Sequence, residues 1–112
     1  MAAKIIAAVD YVNHPQAEGV YLKHFYSSAD NDRLSNVEVR IEPGCRIGPH
    51  IHEQTTEFYY LVEGEGDFLI DGQWHPVRKG YAMKVPPGEE HAIVNTGSGS
   101  LVIFSTFSPP NR

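Results

Sequence analysis

Short runs rich in Val, Ile, Tyr and Phe recur along the sequence between clusters of Gly, Pro and Asn, and this pattern is typical of a β-fold. Little of the 112-residue chain has the 3.6-residue periodicity of an amphipathic helix. Val37, Val39 and Ile41 alternate with polar side chains, which predicts a strand over residues 36–41 with one buried face. The other runs that predict strands are 20–26, 57–62, 82–85, 91–95 and 101–107, with residues 27–33 as a loop.

The dipeptide Asp71-Gly72 marks the clearest turn in the sequence. It joins the runs 67–70 and 73–75, and Asp-Gly favours the positive φ angles of a two-residue hairpin. Pro76 cannot donate a backbone hydrogen bond, so we expect the second strand to lie at a sheet edge or to end there. Seven or eight short strands with frequent turns predict one all-β domain over residues 1–112, built as a sandwich or barrel.

The charge and the cysteine content argue against several classes of protein. Nine Lys and Arg against fourteen Asp and Glu give a net charge of −5, and the basic residues are scattered apart from Arg78-Lys79. We therefore expect neither nucleic acid nor an anionic membrane as a partner. Cys45 is the only cysteine, so no intramolecular disulfide can form, and the apolar run 5–9 is too short for a signal-peptide core. A cytoplasmic location is the expectation.

Three histidines and a glutamate have the spacing of a metal site. His50 and His52 are separated by one residue, so both imidazoles point the same way if the segment is extended. Glu57 follows at the start of the next predicted strand, and His91 comes from a distant one. Three imidazoles and a carboxylate suit Mn, Fe, Ni, Co, Cu or Zn without choosing among them. By itself, a His-x-His pair also fits two histidines on a surface or an edge strand.

Two spaced strings in the sequence contain these four residues. The first is Gly44, five residues, His50, one residue, His52, four residues, Glu57, six residues, Gly64; the second is Gly80, five residues, Pro86, one residue, Gly88, two residues, His91, three residues, Asn95. They resemble the paired motifs of the cupin superfamily at every defined position. The fifteen residues between them are similar to the short inter-motif segment of small single-domain microbial cupins. One departure is Tyr81, where many members have an acid.

This resemblance implies a double-stranded β-helix, which is a small antiparallel barrel of the jelly-roll type with a divalent metal inside. It also implies that His50, His52, Glu57 and His91 are the metal ligands. Small cupins resemble one another in forming dimers through sheet packing or exchange of N-terminal strands, so a homodimer is expected, with residues 2–9 as a candidate exchanged strand. An unpaired sheet edge gives a physical reason for such pairing.

Alternation along the two motif strands indicates which other side chains face the metal. The side chains placed there are Tyr59 and Leu61 on the strand of Glu57, and Ile93 and Asn95 on the strand of His91. Tyr59 is therefore a candidate catalytic residue together with Glu57, and the alternative is a core tyrosine with its hydroxyl at the barrel rim. The residues expected to pack the barrel and not to contact a substrate are Phe68, Ile70, Phe104 and Phe107. Alternation does not decide which face of residues 101–107 points inward.

Two arginines are candidates for binding a carboxylate substrate. Arg40 and Arg46 could each form a bidentate pair with it, but a lone arginine on a half-buried strand more often faces water. No neighbouring residue in the sequence marks Cys45 as a nucleophile, so it is interpreted as a small packing residue. The remaining histidines, His14, His24 and His75, have no partners at metal spacing, and His75 is expected to be exposed or in an interface.

Two classes of function are compatible with these residues. The first is an enzyme that binds a small organic substrate at open metal positions, with dioxygenase chemistry for Fe or Cu and isomerase, lyase or hydrolytic chemistry for Mn, Ni or Zn. The second is a non-catalytic module that binds or senses a small ligand with a structural metal or none, because a fold does not establish catalysis. An acid or base beside the open metal positions would favour the enzyme.

Overall fold

A computed structural model describes residues 3–112, which form ten β-strands and no helix. The strands are β1 (Val12–Asn13), β2 (Val20–His24), β3 (Ser35–Ile41), β4 (Arg46–His50), β5 (Thr56–Glu63), β6 (Glu65–Ile70), β7 (Gln73–Arg78), β8 (Ala82–Val85), β9 (His91–Asn95) and β10 (Leu101–Ser108). They pair antiparallel in a six-stranded sheet, β1-β2-β3-β10-β5-β8, and a four-stranded sheet, β4-β9-β6-β7. The all-β fold of jelly-roll type that the sequence predicted is confirmed.

The core lies between the two sheets and follows the predicted alternation. Val37, Val39 and Ile41 on β3 are all buried, and Leu61 on β5 is fully buried. For residues 101–107 the sequence left the inward face unassigned, and the structure places Phe104 on the outer one. It alternates with the buried Ile103 and Ser105, so it lies on the outer face of β10, where its ring is 6.2 Å from Phe25.

The β6–β7 hairpin forms at the predicted dipeptide. Asp71 and Gly72 have φ angles of 53° and 70°, and the pairing of Ile70 with Gln73 leaves them as a two-residue loop. β7 is the last strand of its sheet, so Pro76 lies on an edge, where its missing donor leaves no ladder bond unmade.

The exchange of residues 2–9 between two copies stays a prediction, because it concerns contacts with a second chain. Residues 3–11 contain no strand, and Ala2, the first residue of the predicted exchange strand, lies outside the described residues. β2 ends at His24, two residues before the predicted end at Tyr26. Residues 3–112 include no helix with the length and apolar character needed to cross a membrane.

The outer face of β5 is apolar and exposed. Phe58, Tyr60 and Val62 are 43%, 43% and 40% exposed, and Tyr60 lies across from Phe104 of β10. Contiguous apolar patches are uncommon on monomers because water solvates them poorly.

We therefore expect a homodimer that buries this face against a second copy. Tyr60→Glu should give the mass of a monomer by size-exclusion chromatography with light scattering. Trp74→Glu, at an exposed position on β7, should leave the dimer intact; a monomer mass for the unmutated chain would contradict the prediction.

Candidate metal centre and ligand cavity

The four predicted ligands converge from both sheets. His50 ends β4 and lies opposite His91, the first residue of β9, while Glu57 comes from β5 in the other sheet. His52 lies in the loop that follows β4. One ligand atom from each residue lies within 4.8 Å of the corresponding atom of every other residue. The structure therefore brings together the four residues that the sequence predicted as metal ligands.

Local backbone features deliver the histidines to this point. The register of β4 with β9 shifts between Ile47 and His50, which indicates a bulge or other irregularity just before the first ligand. At the Pro86-Pro87-Gly88 corner, Gly88 has a φ of 84° and donates its backbone N–H to the carbonyl of His52 at 2.9 Å. Gly88 of the second motif thus fixes the backbone of His52, a candidate metal ligand from the first motif.

Two carbonyl groups determine which ring nitrogens carry protons. Nδ1 of His50 donates to the Gly48 carbonyl at 2.8 Å, and Nδ1 of His91 donates to the Glu89 carbonyl at 3.0 Å. A carbonyl only accepts, so in each neutral ring the Nε2 atom has a free lone pair. Backbone carbonyls commonly fix metal-binding histidines in this tautomer.

One carboxylate oxygen faces two of these imidazoles. Oε1 of Glu57 lies 3.1 Å from Nε2 of His91 and 3.3 Å from Nε2 of His52. Within residues 3–112, Nε2 of His52 is buried and has no hydrogen-bond partner of good geometry. Lone pairs that face one another this closely repel unless a proton or a metal ion lies between them.

The electrostatics favour positive charge in the centre of the group. Burial raises the pKa of the Glu57 carboxyl, but contacts with His52 and His91 outweigh burial and hold the pKa below its ordinary value. Burial lowers the pKa of His91, but the contact with Glu57 outweighs it and raises the pKa overall. Burial lowers the pKa of His50, which favours the neutral, metal-binding form. An ionised carboxylate among imidazoles fits a divalent first-row metal.

A cavity of about 440 Å³ opens onto this group, which is the size of a small-molecule site. Tyr59 lines it as predicted, with its ring centroid 5.9 Å from that of His91. Burial raises the pKa of Tyr59 well above its ordinary value, and the Glu57 carboxylate raises it further, so the phenol stays neutral. Asn95, also expected on the metal face, instead donates from its amide to the carbonyls of Ile41 and Gly99, and its role is structural.

The two arginines suggested for carboxylate binding do not reach the cavity, and those candidates are wrong. Arg46 is exposed on β4. Arg40 is on the outer face of β3, where its guanidinium lies 5.1 Å and 5.0 Å from the ring centroids of Tyr11 and Tyr21. Cys45 is partly buried against the core and His75 is exposed, as expected.

The sequence interpretation missed several polar residues that line the cavity, among them His14, His24 and Arg112. For His24 a signal existed, because it continues the inward alternation of Val20 and Leu22 along β2. Arg112 gives no local signal, since it reaches the cavity only because residues 109–112 turn back across it. Oγ of Ser35 accepts from the Asn111 backbone N–H at 3.0 Å, and the backbone N–H of Ser28 donates to the carbonyl of Arg112.

Comparison with known proteins identifies similar chains. The cupin-domain family model matches residues 37–107. An oxalate-binding protein of Thermotoga maritima is 38% identical over 63 residues, covering 56% of this chain and 52% of that protein. The dimethylsulfoniopropionate lyase DddW of Ruegeria pomeroyi is 42% identical over 52 residues, covering 46% and 34%. The crystal structure of a "predicted oxalate decarboxylase" from Thermotoga maritima superposes with a TM-score of 0.79 at 28% identity, covering 90% and 91%.

The family match extends over most of the two sheets and includes all four converging residues. The chain spans about half the length of the curated relatives that it matches, with shares of 52%, 62% and 45%. The family match, the jelly-roll arrangement of strands and the paired motifs agree with one another. This chain belongs to the cupin family.

Proposed function

We propose that this cupin is a metal-dependent enzyme that acts on a small organic substrate in the cavity. The observation that carries the proposal is the position of Glu57 Oε1, 3.1 Å and 3.3 Å from two imidazole nitrogens. Carbonyl contacts hold the Nδ1 atoms of His50 and His91, so their Nε2 lone pairs remain for a cation.

The chain's own residues supply the other requirements of catalysis. His50, His52, Glu57 and His91 would hold a divalent ion, which would act as a Lewis acid or bind an oxygen ligand at its open positions. Tyr59 would position the substrate by donating from its neutral hydroxyl, and Glu57 would double as a base where a proton has to move. Val39, Ile47 and Ile103 give the cavity apolar walls, which would limit the access of water once a substrate is bound.

The reaction class depends on which metal is held. Among similar chains, one is named as a lyase, which supports lyase chemistry. Mn, Co, Ni or Zn would suit isomerase or lyase chemistry. Fe or Cu would instead support a dioxygenase.

The other candidate function is binding without catalysis. A similar protein is named for binding oxalate, and a metal there need do no more than hold the ligand. The same cavity fits both functions, so turnover has to be measured separately from binding.

Metal content is the experiment that tests the proposal. Protein purified without added metal and without a histidine tag should contain close to one equivalent of a single transition metal by elemental analysis. His52→Ala should lose most of it because one of the four ligands is absent, while the exposed His75→Ala should retain it.

The identity of the metal then decides which activity assay follows. Fe or Cu would lead to oxygen-uptake assays on catechol-like and thiol substrates, and Mn, Co, Ni or Zn to isomerase and lyase screens. A chain that contains no metal, even after reconstitution, would refute the proposed site; metal with no turnover in either set would favour the binding module.

A further inference from the structure

The end of the cavity away from the metal ligands has its own polar groups. His14, His24 and Arg112 line it, together with Asn36 and Asn111. Among the lining residues, Glu57 is the only one with a carboxylate side chain, and it is engaged by His52 and His91. The side chains that line the far end therefore include the Arg112 guanidinium and no carboxylate.

The two histidines at this end present donors rather than charges. Nδ1 of His14 accepts the backbone N–H of Gln16 at 3.0 Å, so its Nε2 carries the proton in the neutral ring. Burial lowers the pKa of both His14 and His24, and the nearby Arg112 charge lowers both further. At neutral pH Arg112 is the fixed charge, and the imidazoles contribute N–H groups.

In the six-stranded sheet, β3 and β10 lie between β2, which contains His24, and β5, which contains Glu57, and apolar side chains line the cavity along these strands. Leu22 and Val37 line it from β2 and β3, and Ile103 and Phe107 line it from β10. A ligand that matches this cavity has an apolar body between two polar ends. The guanidinium and imidazole N–H groups fit the oxygens of a carboxylate, to which arginine donates bidentately.

We propose that Arg112, His24 and His14 form a subsite for a carboxylate at one end of the ligand, and that an oxygen donor at the other end faces the metal ligands. This inference rests on the proposed function and deepens it by naming the substrate class: small carboxylic acids with an apolar body and a second oxygen function. The position of Arg112 depends on the C-terminal turn, where Ser28 and Ser35 hold the backbone of Arg112 and Asn111.

Straight-chain dicarboxylates of graded length test the subsite, because the acid that matches the span of the cavity should stand out from the others. Each acid from succinate to suberate is titrated into Zn²⁺-loaded protein by calorimetry and compared with the monocarboxylate of the same carbon number. At least one dicarboxylate should bind about tenfold tighter than its monocarboxylate, because a charge-assisted contact is gained at the far end. Arg112→Gln should reduce that difference to about twofold or less, and His24→Leu should reduce it in part.

The matched control is Arg46→Gln, which removes an exposed arginine outside the cavity and should leave the preference unchanged. Equal affinity for both acids at every length would overturn the inference, and so would a preference that survives Arg112→Gln.

A second measurement separates this inference from the proposed metal site. In metal-free protein, hexanoate should shift the imidazole ¹⁵N resonances of His14 and His24, whereas hexanamide should not, and Arg112→Gln should abolish the shift. That result in a chain that fails to bind Zn²⁺ would retain the carboxylate subsite and reject the metal site. No shift with hexanoate would overturn the subsite, whatever the metal result.

Discussion

Replacing Glu57 with glutamine should weaken divalent-metal binding by about a hundredfold or more, because Glu57 supplies the only anionic ligand of the group. Glutamine keeps the shape of the side chain, and its amide N–H can donate to Nε2 of His91, which lies 3.1 Å from Glu57 Oε1 in the unmutated chain. In this variant the amide N–H would therefore relieve the repulsion between the side chain at position 57 and the His91 lone pair, and no cation would be needed for that. The measurement is competition with a chromophoric chelator, with the free energy of unfolding of the metal-free protein followed in parallel.

We expect the metal-free Glu57→Gln variant to be at least as stable as the metal-free unmutated chain, while its affinity for metal falls. Asp67→Asn is the matched control, since it removes a carboxylate from β6 that belongs neither to the metal-ligand group nor to the cavity lining. Affinity within twofold of the unmutated chain in Glu57→Gln would show that the metal is held elsewhere.

Gly66→Ala should destabilise the fold by about 3 kcal/mol or more, at the upper end of what overpacking costs. A Cβ atom there would lie 2.2 Å from the Val94 carbonyl oxygen and 3.1 Å from Cδ2 of Leu101. Gly66 is in the middle of the four-stranded sheet, paired with both Asn95 and Val77, so the obstructing backbone can move only if the pairing is disturbed. Urea unfolding followed by tryptophan fluorescence measures the loss.

The control for this substitution is Gly99→Ala, because no atom lies within 4 Å of a Cβ placed there and its φ angle is not positive. We expect its stability to stay within about 0.5 kcal/mol of the unmutated chain. If Gly66→Ala were equally mild, the close approach of β6 to β9 would be wrong.

Much of the fold could be predicted because alternation is a local property of a strand. Val37 and Val39 indicate the inner face of β3 independently of the strands beside it, and Asp71-Gly72 indicates its own turn. The metal-ligand group could be predicted from the two motifs, since the spacing of His50 and His52 and the corner before His91 are written in the sequence.

What could not be predicted depends on contacts between distant segments. Arg112 lies at the cavity because the C-terminal segment turns back, and Arg40 lies outside because Tyr11 and Tyr21 hold it on the outer face. The constraint on Gly66 comes from a carbonyl 28 positions away in the chain, at Val94. The types of side chain along the sequence do not indicate which distant segments come into contact.

The convergence of the ligands from both sheets links ion binding to the folding equilibrium. Unfolding separates His50 and His91 on one sheet from Glu57 on the other, and so releases any ion that they hold. By mass action, an ion present at a hundred times its dissociation constant adds about 2.7 kcal/mol to the free energy of unfolding. For a chain that holds an ion in this group, the melting temperature would therefore rise with the free metal concentration, and a strong chelator would lower it.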